Sequence, residues 1–413
     1  MKILLVSSFL PYPLHSGGHV RLFNLIKELA GKHEITLICE KRENQSEDDI
    51  LGVKKICKKV ITVNRGKQWT IKNVFKSVFS SNSFLVTGHK SQKMNQEISI
   101  ELKNKKYDLI HVETYYVMQN LPNSSIPVVL AEHNIEYQVY QRYADQSPFF
   151  LKPLFNIDIL KIRKEEESCW ARATKLIAVS EDDKKVMKNT GVDPTIVSNG
   201  VDLEKFTFLQ RTKNQEPRIK RVLFIGDFRW IQNRDAAKFI IDEIFPKIKT
   251  VILSKAKILD PSATLQDDEI KLWVVGRNIP DNIRSLTNEP DVIFDEESST
   301  RPTEELFQEA DVLLAPIRVG GGTSYKILES MCCGTPVVAT SLSANAVGAK
   351  DGENIMVAED AKELAKKTVE VLEDNNLYEN IAKNGRKLIE ENYTWKRIAK
   401  DLERVYSELR IKN

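Results

Sequence analysis

The chain has 413 residues, enough for two domains of about 200 residues, each with its own core. Hydrophobic residues make up 41% and charged residues 29%, and the net charge is only +3, an ordinary globular balance that argues against nucleic acid as a partner. The five cysteines (Cys39, Cys57, Cys169, Cys332, Cys333) show neither C-x-x-C nor paired metal spacing, which fits a reducing cytoplasm, and no apolar run approaches the roughly 18 residues of a membrane span.

In chain order, residues 2–8 read as a short apolar strand whose run is stopped by Pro11, too short for a signal peptide. The expected location is cytoplasmic, or peripheral at the inner membrane face. Gly17-Gly18 then opens a helix with Val20, Phe23, Ile26 and Leu29 on one face. A glycine pair at that place suits a close backbone approach to phosphate or sugar, or else a turn that needs positive φ. Apolar, β-branched-rich runs recur at 34–40, 58–64, 108–113, 127–132 and 175–180, with helical periodicity at 94–102. Segment 67–93 interleaves lysines with Trp69, Phe75, Phe79 and Phe84. Its Ile71, Phe75, Val78 and Phe79 form one helical face, suited to a membrane surface, to a lipid-linked acceptor or to packing on its own domain.

The strand 127–132 runs directly into His133. Ligands of open parallel sheets bind at the carboxyl ends of strands, so His133 stands where a site would be, although a lone histidine is as readily structural. After the Asn199-Gly200 turn signal, the polar stretch 203–220 contains Pro217 and divides the chain. A second series of strands follows at 221–227, 270–276, 291–296, 311–317, 335–341 and 354–360, with 254–269 read as a surface excursion. Two alternating βα series predict an α/β protein with two doubly wound parallel sheets. The expected division is 1–205, 206–392 and a terminal segment 393–413, whose Trp395, Ile398, Leu402, Val405 and Leu409 form one apolar helical stripe. The acidic pairs Asp48-Asp49, Asp182-Asp183 and Asp267-Asp268 read as solvated faces, so no metal site is argued.

Residues 315–340 carry the most chemistry. An apolar strand ends at Pro316, three glycines follow, and a helix then carries Lys326 and Glu329 before Gly334-Thr335-Pro336 and another strand. A glycine run lets backbone N–H groups approach an anion, and the helix N-terminus adds roughly half a positive charge. Lys326 and Glu329 are i, i+3 neighbours, a cation for a phosphate beside a carboxylate for a ribose diol. Adjacent Cys332-Cys333 read as small buried hydrophobes. After the strand 221–227, Arg229 is a second candidate cation.

This segment is similar to the nucleotide-sugar motif of the retaining GT-B glycosyltransferases of family 4. Glu329 and Gly334-x-Pro336-Val337 match, but Gly321 stands where most members have a first glutamate, as in a sub-branch with Gly-Gly-Gly-Thr-x-x-Lys-x-Leu-Glu. Ser180-Glu181 and Asn199-Gly200-Val201-Asp202 with Phe206 resemble further family landmarks. The resemblance implies a GT-B fold of two Rossmann-like domains facing across a cleft, with the final helix packing back toward the first. It implies transfer of a sugar from a nucleoside-diphosphate donor to a saccharide or lipid-linked hydroxyl acceptor, in polysaccharide or glycolipid synthesis, without metal or other cofactor. By the same resemblance, Gly17, Gly18, Gly276, Arg277, Phe294, Gly321, Gly322, Thr323, Ser324 and Glu329 contact the donor. His133 orients its sugar, and Arg229 and Lys326 meet its diphosphate. Two other functions stay open: a nucleotide-sugar epimerase, told apart by isomerised sugar without transfer, and a catalytically silent subunit, suggested by Gly321 and told apart by tight nucleotide binding without turnover. A dehydrogenase is disfavoured because neither half shows G-x-G-x-x-G after its first strand.

Overall fold

The computed structural model describes all residues other than 69, 146, 211–218, 260–269, 319–323 and 412–413. The chain divides into two compact units, Met1–Asn199 with Trp395–Asn413, and Gly200–Thr394.

The first unit is built on seven parallel strands: β1 Lys2–Ser7, β2 Glu34–Lys41, β3 Lys59–Asn64, β4 Leu109–Glu113, β5 Val128–Ala131, β6 Lys175–Ala178 and β7 Thr195–Ile196. Their order, β3-β2-β1-β4-β5-β6-β7, reverses direction between β1 and β4. That switch point opens a crevice at the carboxyl ends of the two strands, where Ser7 pairs with Glu113. Six of the strands are the apolar runs of the sequence. The seventh has only two residues and gives no periodic signal.

The helix Gly17–Leu29 buries Leu22, Leu25, Ile26 and Leu29, but also Arg21, while Val20 and Phe23 are only half-buried, which corrects the expected face. Arg21 can be buried because it donates to the carbonyls of Val197 (2.8 Å) and Ser198 (2.7 Å) and to Asn199 Oδ1 (3.2 Å). Asp183 is also a correction: it is buried, bonded to Ser180 at the start of the helix Glu181–Met187, and burial raises its pKa. Asp48 and Asp49 begin the helix Glu47–Lys54, where Asp49 completes a capping box with Ser46, and Asp267-Asp268 lie outside the described residues. The stripe Trp395, Ile398, Leu402, Val405 and Leu409 of the C-terminal helix Trp395–Ile411 is buried in this unit. Glu403 of that helix pairs with Lys32 at 2.8 Å and His33 at 3.2 Å.

The helix Ile71–Phe79 turns its apolar face outward. Ile71 and Phe79 are each 80% exposed and Phe75 60%, whereas Ser77 is buried and donates to Asp158 Oδ1 at 3.1 Å. The helix Lys152–Arg172 supplies that aspartate and also Lys161, whose ammonium donates to the carbonyls of Ser77 and Ser80. Leu154, Ile157 and Leu160 on this second helix, and Phe149 and Phe150 before it, are exposed as well. No helix among the described residues is long and apolar enough to cross a membrane.

The second unit has six parallel strands: β8 Lys220–Asp227, β9 Ile270–Arg277, β10 Val292–Asp295, β11 Val312–Ala315, β12 Val337–Ala339 and β13 Met356–Val357, in the order β10-β9-β8-β11-β12-β13. Alternate residues enter two cores. Val222, Phe224, Leu272 and Val274 pack on one face, and Leu223, Trp273, Val275 and Leu313 on the other. A sheet buried on both faces explains why its strands read as unbroken apolar runs. The helix Phe245–Leu259 takes in 254–259, the first part of the expected surface excursion, and 260–269 lie outside the described residues. Cys332 and Cys333 are buried, and burial pushes the Cys332 thiol up to about 12.

Candidate active site

In the first unit, polar groups gather at the β1–β4 switch point. Glu113 ends β4 fully buried, and His133 follows β5. Its Nε2 is hydrogen-bonded to Glu113 Oε2. The second carboxylate oxygen, Oε1, lies 3.1 Å from His111 Nε2, and His111 Nδ1 lies 2.6 Å from the hydroxyl of Tyr406 on the C-terminal helix. Burial works against charge on Glu113, but His133 and His111 overcome it and hold the carboxyl well below the usual carboxylate range. Burial first, then Arg42, His15 and His133, push the neighbouring His19 down to about 4.

Gly17 is the first residue of its helix and is exposed. Gly18 packs on His133: a Cβ there would lie 3.1 Å from Nδ1 and 3.4 Å from Phe9 Cζ. Neither glycine has a positive φ, so closeness to the imidazole, not turn geometry, is the demand on Gly18. The N-cap residue Ser16 does not cap the helix through its side chain; its hydroxyl lies 2.6 Å from His19 Nδ1.

In the second unit the corresponding reversal lies between β8 and β11. The helix Tyr325–Cys333 begins beyond the carboxyl end of β11. Lys326 is half-buried, with its ammonium 4.7 Å from the Phe224 ring centroid and donating to Asn233 Oδ1 at 2.8 Å. Asn233 in turn donates from Nδ2 to the Asp227 carbonyl at 2.8 Å. Desolvation pushes Lys326 down to about 7, with Glu329 opposing it. Burial pushes Glu329 up to about 8, with Lys205 and Lys326 opposing and Glu304 adding to it. Desolvation thus works against the charged form of each group. Ser324 is the N-cap residue and makes no side-chain cap, while Gly321, Gly322 and Thr323 lie outside the described residues.

Arg229 is exposed and folds back on Asp227, with Nε 3.0 Å from both carboxylate oxygens and Nη2 2.5 Å from Oδ2. Gly276 answers to packing: a Cβ there would lie 2.0 Å from the Gly226 carbonyl oxygen and 2.7 Å from the Phe228 ring. Arg277 is exposed, reaching the Ser299 carbonyl at 3.4 Å, and Phe294 is half-buried against the core beside exposed Ile293. Lys326, Asn233, Asp227 and Arg229 therefore gather at the carboxyl end of β8, while Arg277 and Phe294 are held by other contacts. Sequence reasoning missed Glu113, His111 and Tyr406 in the first unit, and Asp227 and Asn233 in the second. A charged residue ending each of two apolar strands was the available signal. Among the described residues no group of three or more His, Cys, Asp or Glu is arranged to hold a metal.

Residues 15–205 match the family model described as Glycosyltransferase Family 4, and residues 219–374 match that described as Glycosyl transferases group 1. An uncharacterized 44.6 kDa protein in the cps region of Klebsiella pneumoniae is 24% identical over 88% of this chain and 89% of its own length. Among solved structures, sucrose-phosphate synthase from Thermosynechococcus elongatus superposes with a TM-score of 0.70 over 100% of both chains at 16% identity. Anabaena HepE in complex with UDP and glucose superposes with a TM-score of 0.62, covering 99% of this chain and 100% of its own, at 13% identity. Two parallel-sheet units, matched in order by two glycosyltransferase family models, identify the chain as a glycosyltransferase, and the likeness to the solved structures shows the GT-B fold.

Proposed function

We propose that the protein is a retaining enzyme that moves a sugar from a nucleoside diphosphate to a hydroxyl acceptor in polysaccharide or glycolipid synthesis. The half-buried Lys326, bonded to Asn233 at the carboxyl end of β8, carries this reading, because a diphosphate would offset the desolvation that works against its charge. Glu329 takes the ribose diol, Arg229 exchanges Asp227 for a phosphate oxygen, and His133 bonds a sugar hydroxyl. The bond from the anomeric carbon to the phosphate oxygen breaks, and the acceptor oxygen attacks from the same face. The acceptor proton passes to the departing oxygen, so no separate protein base is required. Lys326 and the helix N-terminus stabilise the departing charge, and the reaction proceeds without a metal. HepE, solved with UDP and glucose, is a structural neighbour that supports this donor class.

A panel of nucleotide sugars tests the reading by thermal shift and by product analysis. It expects one donor to stabilise the protein and to give free nucleotide, a glycoside of retained configuration, and turnover indifferent to a chelator. Isomerised sugar without a glycoside would move the assignment to an epimerase, and tight nucleotide binding without turnover to a silent subunit.

The acceptor reading extends to a lipid surface contacted through 67–93 on the cytoplasmic face of the inner membrane. The outward apolar face of Ile71–Phe79 supports it, as do exposed Phe149, Phe150, Leu154, Ile157 and Leu160. Lys76, Lys152 and Lys164 on the same two helices suit anionic headgroups, while Arg163 is paired with Glu167 at 2.8 Å. Phe75→Asp with Phe79→Asp should abolish co-sedimentation with anionic vesicles and leave transfer to a water-soluble acceptor intact. Unchanged sedimentation would end the membrane assignment.

A further inference from the structure

We propose that Tyr406, His111 and Glu113 form a positioning array that fixes the proton of His133 on Nε2 and leaves Nδ1, the nitrogen beside Gly18, for the ligand. The inference rests on the reading of His133 as a sugar ligand and adds what sets its chemical form.

The hydrogen bonds admit one consistent arrangement of protons. Tyr406 is buried, and burial together with Glu113 raises its hydroxyl well above the usual phenol range, so it remains a phenol and has a proton to place. His111 Nδ1, at 2.6 Å, is its partner. A phenol that instead accepted from Nδ1 would hold its own proton with nothing to receive it, a costly state for a buried group. His111 is therefore neutral, with its proton on Nε2, which donates to Glu113 Oε1 at 3.1 Å. Glu113 stays an anion, and its other oxygen accepts from His133 Nε2. Both imidazoles thus donate to one buried carboxylate, and His133 presents Nδ1 to a ligand. Neutral, that nitrogen accepts a hydrogen bond from a sugar hydroxyl; protonated, it donates one.

Glu113, Glu136 and His19 interact electrostatically with His133, His111 shares the Glu113 carboxylate with it, and Glu113 and Arg21 act on Tyr406. Glu113 accepts from His133 through one oxygen and from His111 through the other, and Tyr406 holds His111 in the tautomer that makes this possible. Without the phenol, nothing holds the His111 proton on Nε2, and the hydrogen bond to Glu113 is no longer secured. The C-terminal helix thereby acts on the site through one hydroxyl, while its apolar stripe holds it in place independently.

Nitrogen-15 NMR of the histidines in the full chain tests the array without reference to turnover. The expected wild-type spectrum shows His111 with a bare Nδ1 and a protonated Nε2, and His133 with a protonated Nε2. Tyr406→Phe should release the His111 tautomer. It should lower kcat by roughly tenfold or more, as when a histidine loses its orienting partner, with affinity for free nucleoside diphosphate unchanged. Glu113→Gln should release the His133 tautomer as well. A proton on His111 Nδ1 in the wild type would overturn the array, even if both variants failed to fold. So would a folded Tyr406→Phe protein with wild-type tautomers. Full turnover in His133→Ala would instead refute the sugar-ligand reading and leave the NMR result standing.

Discussion

Lys326 and Glu329 are pushed toward neutrality in opposite senses, Lys326 to about 7 and Glu329 to about 8, so nucleotide binding should move protons at both. A diphosphate raises the Lys326 pKa. Above about 7 and below the raised value, the complex therefore holds a proton on Lys326 that the free protein lacks. A diol donating to Glu329 lowers its pKa and releases a proton wherever the free carboxyl is still protonated. Calorimetry in buffers of different ionisation enthalpy resolves the two. Lys326→Met should remove the uptake and leave a net release, and Glu329→Gln should remove the release and leave a net uptake. Identical proton counts in all three proteins would contradict both contacts. Glu329→Ala should also weaken nucleotide affinity by about 1.5–3 kcal/mol, the size of a charge-assisted hydrogen bond. Unchanged calorimetric affinity in the folded variant would remove the ribose role. These two residues were legible in the sequence because they sit three apart on one helix. Asn233, which orients Lys326 from 93 residues away, was not, because no local pattern encodes a contact made by folding.

The elements were legible wherever burial writes a period into the sequence. Strands covered on both faces read as apolar runs, and the stripe of the C-terminal helix reads directly as its buried face. The reading slipped where polar residues replace apolar ones inside. Arg21 took the place expected of Val20 and Phe23, because carbonyls of residues 197 and 198 accept from its two terminal guanidinium nitrogens. The helix Ile71–Phe79 shows the complementary limit, since its period was visible but not which face would be turned to solvent. At the start of the helix Gly17–Leu29, the constraint on Gly18 is its 3.1 Å approach to His133. Gly18→Val should leave the fold intact, since its backbone needs no positive φ, but displace the imidazole and lower kcat by roughly 10²-fold. A variant with normal turnover would show that the position of His133 does not matter to the chemistry.

At the scale of the whole chain, the sequence returns to its first unit at the end, because Trp395–Asn413 belongs with Met1–Asn199. The helix Trp395–Ile411 is thus part of that unit's core and not an appendage. Leu402→Ala should cost about 2–5 kcal/mol of the first unit's stability through the cavity it leaves, read by chemical denaturation, while nucleotide binding in the second unit persists. A loss below about 1 kcal/mol would mean the helix packs loosely.

The central claim is that Lys326 stabilises the departing nucleoside diphosphate, and turnover of the cognate nucleotide sugar by Lys326→Met measures it most directly. The account predicts that kcat falls by roughly 10²-fold or more in a folded variant that still binds the nucleoside through Glu329. Transfer at the wild-type rate would contradict it, returning Lys326 to a packing role beside Phe224.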